Sequence, residues 1–389
     1  MFNAPTVRVN RKAADRIRSG HPWVFRSDLL ETNSADAGDV VRVIDFKGHL
    51  LGMAHHSTAS QIALRMLGRQ LQSIDEAWLR TRIRQACEYR KVVVSNSDAY
   101  RLIYSEGDLL PGLIVDRYGD HLVAQFLDQG MDKMSTLVAE ILESALRPKG
   151  ILARNDSPVR QKEDLPREVR VLAGDVPARV ELRMNGLNYE ADLWGGQKTG
   201  IFLDQRENYL AARQYGRGRA LDCFTATGGF ALHLASVCEH VEAVDSSAAT
   251  LETAKRNATL NKTTNIEWRE ADVLEYLPGL VAAKRTFEIV VVDPPAFTKS
   301  RGAIEGATRG YKEINLRALR LLQKGGILVS CSCSQHMSEA HFLELIASAA
   351  LDSGKQLRVL ERRTQARDHP ILLTVPETHY LKCLIFEVI

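Results

Sequence analysis

At 389 residues the chain is too long for one ordinary domain, and two or three are expected. Hydrophobic residues make up 45% and charged residues 25%, with a formal net charge of only +3. That is a globular profile, which excludes a bulk polycation, so any nucleic-acid binding needs a local basic surface. No apolar run reaches the length of a membrane span, and the N-terminal stretch lacks the apolar core of a signal peptide. Cys87, Cys223, Cys238, Cys331, Cys333 and Cys383 form no C-x-x-C pair and no zinc spacing. A reduced, cytoplasmic protein without a structural metal is expected.

Residues 1–72 read as a small, mainly β module. Thr6 to Val9 alternates, Asp39 to Met53 gives two strands joined at Lys47-Gly48, and Gln61 to Leu67 alternates again. A short basic helix, Arg11 to Arg18, leads to Gly20-His21-Pro22-Trp23-Val24-Phe25. Arg11, Lys12 and Trp23 suit phosphate contacts and base stacking; equally, Trp23 and Phe25 suit the packing of a small barrel.

Residues 73–184 read as an α+β domain. Ile74 to Lys91 and Met134 to Leu146 are helical. Tyr100 to Tyr104, Leu113 to Arg117, Leu122 to Phe126 and Gly150 to Arg154 are strands. The polar stretch 155–167, with Arg160 and Lys162, is expected to be a surface loop, solvated or facing RNA. Val180 to Met184 and Leu187 to Leu193 form a hairpin around Asn185-Gly186.

Residues 185–389 alternate strand and helix, the signature of a doubly wound α/β sheet. Strands end at Asp222-Cys223, at Asp245, before Asp272 and at Asp293. Ser246 is expected to cap the helix that runs to Asn261, and Ser338 the one that runs to Asp352. A helix from about Lys312 to Gln323 is expected to close at Gly325-Gly326. The β-branched run Ile289 to Val292 breaks at Asp293-Pro294-Pro295, because proline has no N–H for the ladder. A carboxylate therefore sits at the carboxyl end of a central strand, where open α/β sheets bind ligands.

The strand-to-helix turn Asp222 to Phe230 lacks the G-x-G-x-x-G fingerprint, since Phe224 and Ala226 stand where glycine is required. A pyrophosphate cradle is thus disfavoured. Asp222 is placed for an ammonium group, Asp245 for ribose hydroxyls and Asp272 for an adenine amino group. Each singly is also an ordinary helix cap. Together with Asp293 they fit a cofactor carrying an amino acid, a ribose and an adenine, which is S-adenosyl-L-methionine.

Several motifs carry a resemblance. They are Asn185 to Tyr189, Gly196 to Arg206 (GQKTGIFLDQR), the Asp222–Phe230 turn, Asp293 to Phe297, Gly310 to Asn315, and Ser332-Cys333-Ser334. With them the chain resembles class I methyltransferases that make 5-methylcytosine in large-subunit ribosomal RNA. The resemblance implies a Rossmann-like methyltransferase domain preceded by a β-barrel PUA-like domain and a small α+β domain. It implies Cys333 as nucleophile with Asp293 beside the base, and Cys331 as the competing thiol. Carbon 5 of cytosine is a poor nucleophile until a thiolate adds at carbon 6, which explains a cysteine here. Implied cofactor contacts are Phe202, Asp204, Asp222, Phe224, Thr225, Gly228, Asp245, Ser246, Asp272 and Asp293. Implied RNA contacts are Arg11, Lys12, Trp23, Lys299, Arg301 and Lys312. The implied partner is large-subunit ribosomal RNA, with a homodimer left open. Related sequences often have lysine after Asp-Pro-Pro; here it is Ala296, and the loop 298–309 is read as Gly-rich and basic. A guanine- or adenine-nitrogen methyltransferase, or a non-catalytic RNA-binding assembly factor, are the alternatives.

Overall fold

Asn10 starts the first helix: its side chain accepts from the Ala13 amide, and Ala13, Ala14 and Ile17 then face inward. This computed structural model describes residues 4–196, 198–297 and 304–389. It divides into two units. One comprises residues 1–183, 191–201 and 367–378; the other comprises 184–190, 202–366 and 379–389.

The first unit opens with β1 (Thr6–Val9), α1 (Arg11–Arg18), β2 (Trp23–Phe25), β3 (Leu29–Glu31), β4 (Val40–Ile44), β5 (Leu50–His56) and β6 (Ile62–Gly68). These strands form one barrel-like sheet in the order β2-β6-β5-β4-β1-β3 around Val7, Val9, Val24, Val41, Val43 and Leu64. There follow α2 (Glu76–Val93), β7 (Ala99–Tyr104), β8 (Leu113–Tyr118), β9 (His121–Phe126), α3 (Gln129–Lys133), α4 (Ser135–Leu146), β10 (Gly150–Asn155) and β11 (Glu168–Gly174). Here the sheet order is β11-β10-β9-β8-β7, with Leu79, Ile83, Leu113, Val115, Ile141 and Leu142 in its core.

Buried charges tie the elements of this unit together. Arg65 pairs with Glu163 at 2.8 Å, and His55 lies 3.3 Å from Asp128, all nearly fully buried. Arg90, 1% exposed, pairs with Asp108 and donates to the Asp368 carbonyl at 2.7 Å. The Asp368 carboxylate in turn accepts from the Arg101 amide at 2.9 Å, and Tyr89 donates to the Arg367 carbonyl at 3.0 Å.

Two expectations are corrected in this region. Arg160 is fully buried, donating to the Phe126 and Pro166 carbonyls and pairing with Asp132, so it is a structural residue and not a loop cation facing RNA. Strand β11, an edge strand with no fully buried residue, follows the polar stretch and is missing from the sequence reading.

After the hairpin β12 (Arg179–Met184) and β13 (Leu187–Asp192), the second unit builds a seven-stranded sheet. Its elements are α5 (Arg206–Gln214), β14 (Arg219–Cys223), α6 (Gly229–Ala235), β15 (His240–Asp245), α7 (Ala248–Leu260), β16 (Ile266–Glu270), α8 (Val273–Ala282), β17 (Phe287–Val292), α9 (Ile304–Arg320), β18 (Leu322–Ser332), α10 (Glu339–Asp352), β19 (Leu357–Arg363) and β20 (Lys382–Val388). The order is β16-β15-β14-β17-β18-β20-β19, parallel except for the pairings made by β20. This is the expected Rossmann-like sheet. The direction of winding reverses between β14 and β17, where Cys223 lies opposite Val292. A ligand crevice forms at such a switch point. Asp222 and Asp293 flank it.

Three local expectations give way here. Ser246 is exposed and does not cap α7; Ser247 does, accepting from the Thr250 amide. Helix α9 begins at Ile304, well before Lys312, because Ala307, Tyr311, Ile314 and Ala318 already present a buried stripe. Gly325-Gly326 lies inside β18, not at a helix end. The ladder there shifts from Phe287–Leu322 to Ile289–Ile327, and Gly325 takes φ +79°.

Candidate active site

Asp222 is the most constrained carboxylate of the site. It is fully buried near the end of β14, and one oxygen, Oδ2, accepts from the Thr225 hydroxyl at 2.6 Å and the Ala231 amide at 2.9 Å. Its other oxygen, Oδ1, is buried without a partner among the described residues. Burial raises its pKa to about 7, and the neighbouring Asp293 and Asp245 charges add to the rise. A buried, orphaned carboxylate oxygen calls for a cationic donor. The ammonium of S-adenosylmethionine fits that requirement.

The turn after β14 is strained. Phe224 and Ala226 take φ +64° and +49°, conformations that side chains other than glycine adopt at a cost of about 1 kcal/mol each. The strain aims the Ala226 amide at Asp245 Oδ2, 2.9 Å away, while Oδ1 accepts from the Ser247 amide at 2.9 Å. Asp245 is thereby fixed at the end of β15 with lone pairs remaining for hydroxyl donors. Asp272 is exposed and caps α8, with Oδ1 2.7 Å from the Leu274 amide.

Gly228, at φ +87°, begins α6. Gly229 is needed for a different reason, since a Cβ there would sit 2.3 Å from Tyr209 Cζ. The glycines thus serve turn geometry and packing. Gly229→Ala should destabilise the fold by about 1–3 kcal/mol, by overpacking against a buried ring. A lowered denaturant midpoint with unchanged slope would register it; an unchanged midpoint would show that Tyr209 yields freely.

Phe202 and Asp204 lie just before α5. Asp204 is buried, accepting from the Tyr380 hydroxyl at 2.6 Å. Next to it, Gln205 donates to Asp293 Oδ2 at 2.9 Å and accepts from Asn208 at 2.7 Å. Gln205 therefore orients Asp293, a role the sequence reading did not assign although the residue lies in the Gly196–Arg206 motif.

Cys333 follows the end of β18 and is half-buried; its neighbours are held on both sides. The hydroxyl of the fully buried Tyr311 lies 3.0 Å from both Ser332 Oγ and Ser334 Oγ. Burial pushes the Tyr311 hydroxyl up, and the Cys333 and Asp293 charges act in the same direction. Cys331 differs: it is fully buried opposite Cys383, and burial pushes its thiol well up. An un-ionised thiol of that kind is a poor nucleophile.

Of the RNA-contact candidates, Arg11 and Lys12 are exposed on α1, with Arg11 3.7 Å from Asp15. Trp23 is half-buried and donates its indole N–H to Glu106 at 2.8 Å. Lys312 pairs with Asp352 at 2.8 Å. Lys299 and Arg301 lie outside the described residues. Among the described residues no His, Cys, Asp and Glu cluster could hold a metal ion, and no helix is long and apolar enough to cross a membrane.

Comparison with known proteins fits this geometry. Residues 7–69 match the family of PUA-like domains, and residues 140–387 that of S-adenosylmethionine-dependent methyltransferases. Ribosomal RNA large subunit methyltransferase I of Tolumonas auensis is 38% identical over 394 residues, covering 99% of either chain. Its counterpart in Citrobacter koseri is 37% identical, covering 93% of this chain and 94% of that one. In fold, the chain is similar to SMU.776, a methyltransferase crystallised with SAH. The TM-score is 0.85 at 19% identity, over 99% of this chain and 100% of that one.

Proposed function

The chain belongs to the S-adenosylmethionine-dependent methyltransferase family that includes ribosomal RNA large subunit methyltransferase I, and we propose on that premise that it methylates carbon 5 of a cytosine in large-subunit (23S) ribosomal RNA. The observation that carries the choice of atom is the half-buried Cys333 thiol, which follows β18 at the carboxyl edge of the sheet as Asp293 follows its paired neighbour β17. Nitrogen methylation uses a lone pair and has no need of a thiol.

Bound S-adenosylmethionine supplies an electrophilic methyl group. Asp222 holds its ammonium and Asp245 its ribose hydroxyls, with Phe202, Phe224, Thr225, Gly228 and Asp272 around them; Asp204 acts by fixing the 202–205 segment. The Cys333 thiolate adds to carbon 6 of the cytosine, giving a covalent adduct whose carbon 5 is nucleophilic. Asp293, steadied by Gln205, acts in its protonated form: it donates its proton to N3 as negative charge builds there. After methyl transfer the proton on carbon 5 passes to water in the site, its electron pair re-forms the C5–C6 double bond, the Sγ–C6 bond breaks to release Cys333 as thiolate, and the N3 proton returns to Asp293.

We assign three functional modules: residues 1–72 as the PUA-like RNA-binding module, 73–184 as the central α+β module and 185–389 as the methyltransferase. Arg11, Lys12 and the exposed face of Trp23 contact RNA in this reading. With its indole N–H engaged by Glu106, Trp23 offers a stacking face rather than a donor. Lys299, Arg301 and Lys312 complete the RNA contacts near the catalytic edge. The target base leaves its stack to reach the thiol.

The test is nucleoside mass spectrometry of ribosomal RNA from cells lacking this protein, with and without complementation. One 5-methylcytosine should vanish and return with the wild-type gene. Loss of a methylated guanine or adenine instead would overturn the cytosine reading.

A further inference from the structure

Lys382 opens β20 and is 3% exposed, an unusual place for an ammonium group. Its Nζ donates to the Ser334 carbonyl at 2.7 Å and to the Tyr380 carbonyl at 2.7 Å. Those two bonds use two of its three protons. Ser334 directly follows Cys333, so the buried cation is anchored one residue from the candidate nucleophile. Across the ladder, Lys382 lies opposite Ser332, the residue directly before Cys333. The lysine thus meets both flanks of the Ser332-Cys333-Ser334 segment, which Tyr311 holds from α9.

We propose that Lys382 is a positioning residue that keeps Cys333 as a thiolate at neutral pH. The inference rests on the reading of Cys333 as nucleophile and deepens it. A thiolate gains from a cation only when the pair is shielded from water, and Lys382 is shielded. Burial pulls its own pKa down to about 8, and the Cys333 charge, then that of Glu339, acts to raise it again. The coupling between lysine and cysteine is thus mutual. The described groups named next, on the elements packed against that segment, are carboxyls, a phenol and thiols. Asp293, after β17, brings a carboxyl group and no cation, and Tyr311 on α9 stays protonated because burial raises it. Glu339, which begins α10, acts on Lys382 and is also bonded by Arg362. Cys383 beside Lys382 is buried against Cys331. Among these groups Lys382 is the cation. Ala296 after Asp-Pro-Pro leaves that position without charge, and Lys382 brings one to the segment from the neighbouring strand.

The experiment is the pH profile of Cys333 alkylation by iodoacetamide in the full-length protein, read on the Cys333 peptide by mass spectrometry so that the other thiols do not contribute. Lys382→Met should raise the midpoint by at least about one pH unit and slow alkylation at pH 7 by about twofold or more. Lys382→Arg should recover part of the shift, because charge and not packing is the cause. A folded Lys382→Met protein with the wild-type midpoint would overturn the proposal. If Lys382→Met does not fold, the Lys382 titration is followed by NMR in wild type and Cys333→Ser. Coupling is reciprocal, so losing the thiolate should lower the lysine midpoint; equal midpoints overturn the proposal. Methyl transfer that survives in Cys333→Ala would sink the nucleophile reading instead, and leaves the alkylation result to judge the lysine by itself.

Discussion

Cys333→Ala should abolish methyl transfer to RNA, by a factor on the order of 10³ or more, while S-adenosylmethionine should bind within about threefold of wild type. The separation is expected because the thiol sits after β18, whereas the carboxylates proposed to hold the cofactor lie at the ends of β14 and β15. Losing a nucleophile removes a covalent path. Losing an orienting contact only weakens one. Single-turnover transfer to large-subunit RNA, beside calorimetric binding of S-adenosylmethionine, checks both halves. Cys331→Ala makes the contrast: this thiol is buried and un-ionised, so its removal should cost about 1–2 kcal/mol of stability and leave the chemistry nearly intact. If the two variants behave in the reverse way, the roles of the two cysteines are exchanged. If both transfer methyl groups at the wild-type rate, no covalent adduct is involved.

The second large effect is a pH dependence of cofactor binding set by Asp222. Its carboxyl is raised to about 7 in the unliganded protein. A carboxyl raised by burial stabilises the fold in its protonated form. That contribution is complete below the unfolded value near 4 and is lost as pH rises through about 7. A cationic ligand reverses the preference, because it binds the carboxylate. Binding must then expel a proton wherever the unliganded group is still protonated. S-adenosylmethionine affinity should fall by up to about tenfold per pH unit below pH 7 and level off above it. Titrations in two buffers of different ionisation heat should show proton release at pH 6 that fades by pH 8. Asp222→Asn has no proton to give up there, so its affinity should be weak and flat across the range. Pronounced pH dependence in Asp222→Asn, or none in wild type, would remove Asp222 from the ammonium site.

The strands that carry the carboxylates were legible because their chemistry is local. Ile289 to Val292 is a buried β-branched run that Pro294 must end, so Asp293 falls at the sheet edge whatever surrounds it. The ends of β14 and β15 follow the same logic. Gln205, Tyr311 and Lys382 were not legible as site residues, because their roles come from partners far along the chain. Gln205 meets Asp293 88 residues on, Tyr311 meets the two serines 21 and 23 on, and Lys382 meets Ser334 48 back. No spacing rule connects them. Arg160 misled for a related reason. A polar stretch reads as solvated, but this arginine finds backbone carbonyls and a carboxylate inside the fold. The start of α9 was hidden by Gly306 and Gly310, which look like loop residues. A Cβ at Gly310 would come no closer than 3.5 Å to Phe297, so the ring packs over a helix that glycine interrupts only in composition.

The segment 367–378 sets a clock on synthesis. Asp368 completes the hydrogen bonding of Arg90 and the Arg101 amide, yet it is made more than 180 residues after the first unit's main stretch ends at Arg183. At about 5–20 residues per second, the ribosome needs roughly 10–40 s to deliver it. During that interval the nascent N-terminal region lacks the Asp368 carbonyl to which Arg90 donates in the complete chain. The first unit to emerge is therefore among the last to be finished, and its final stability is gained only when the chain is nearly complete.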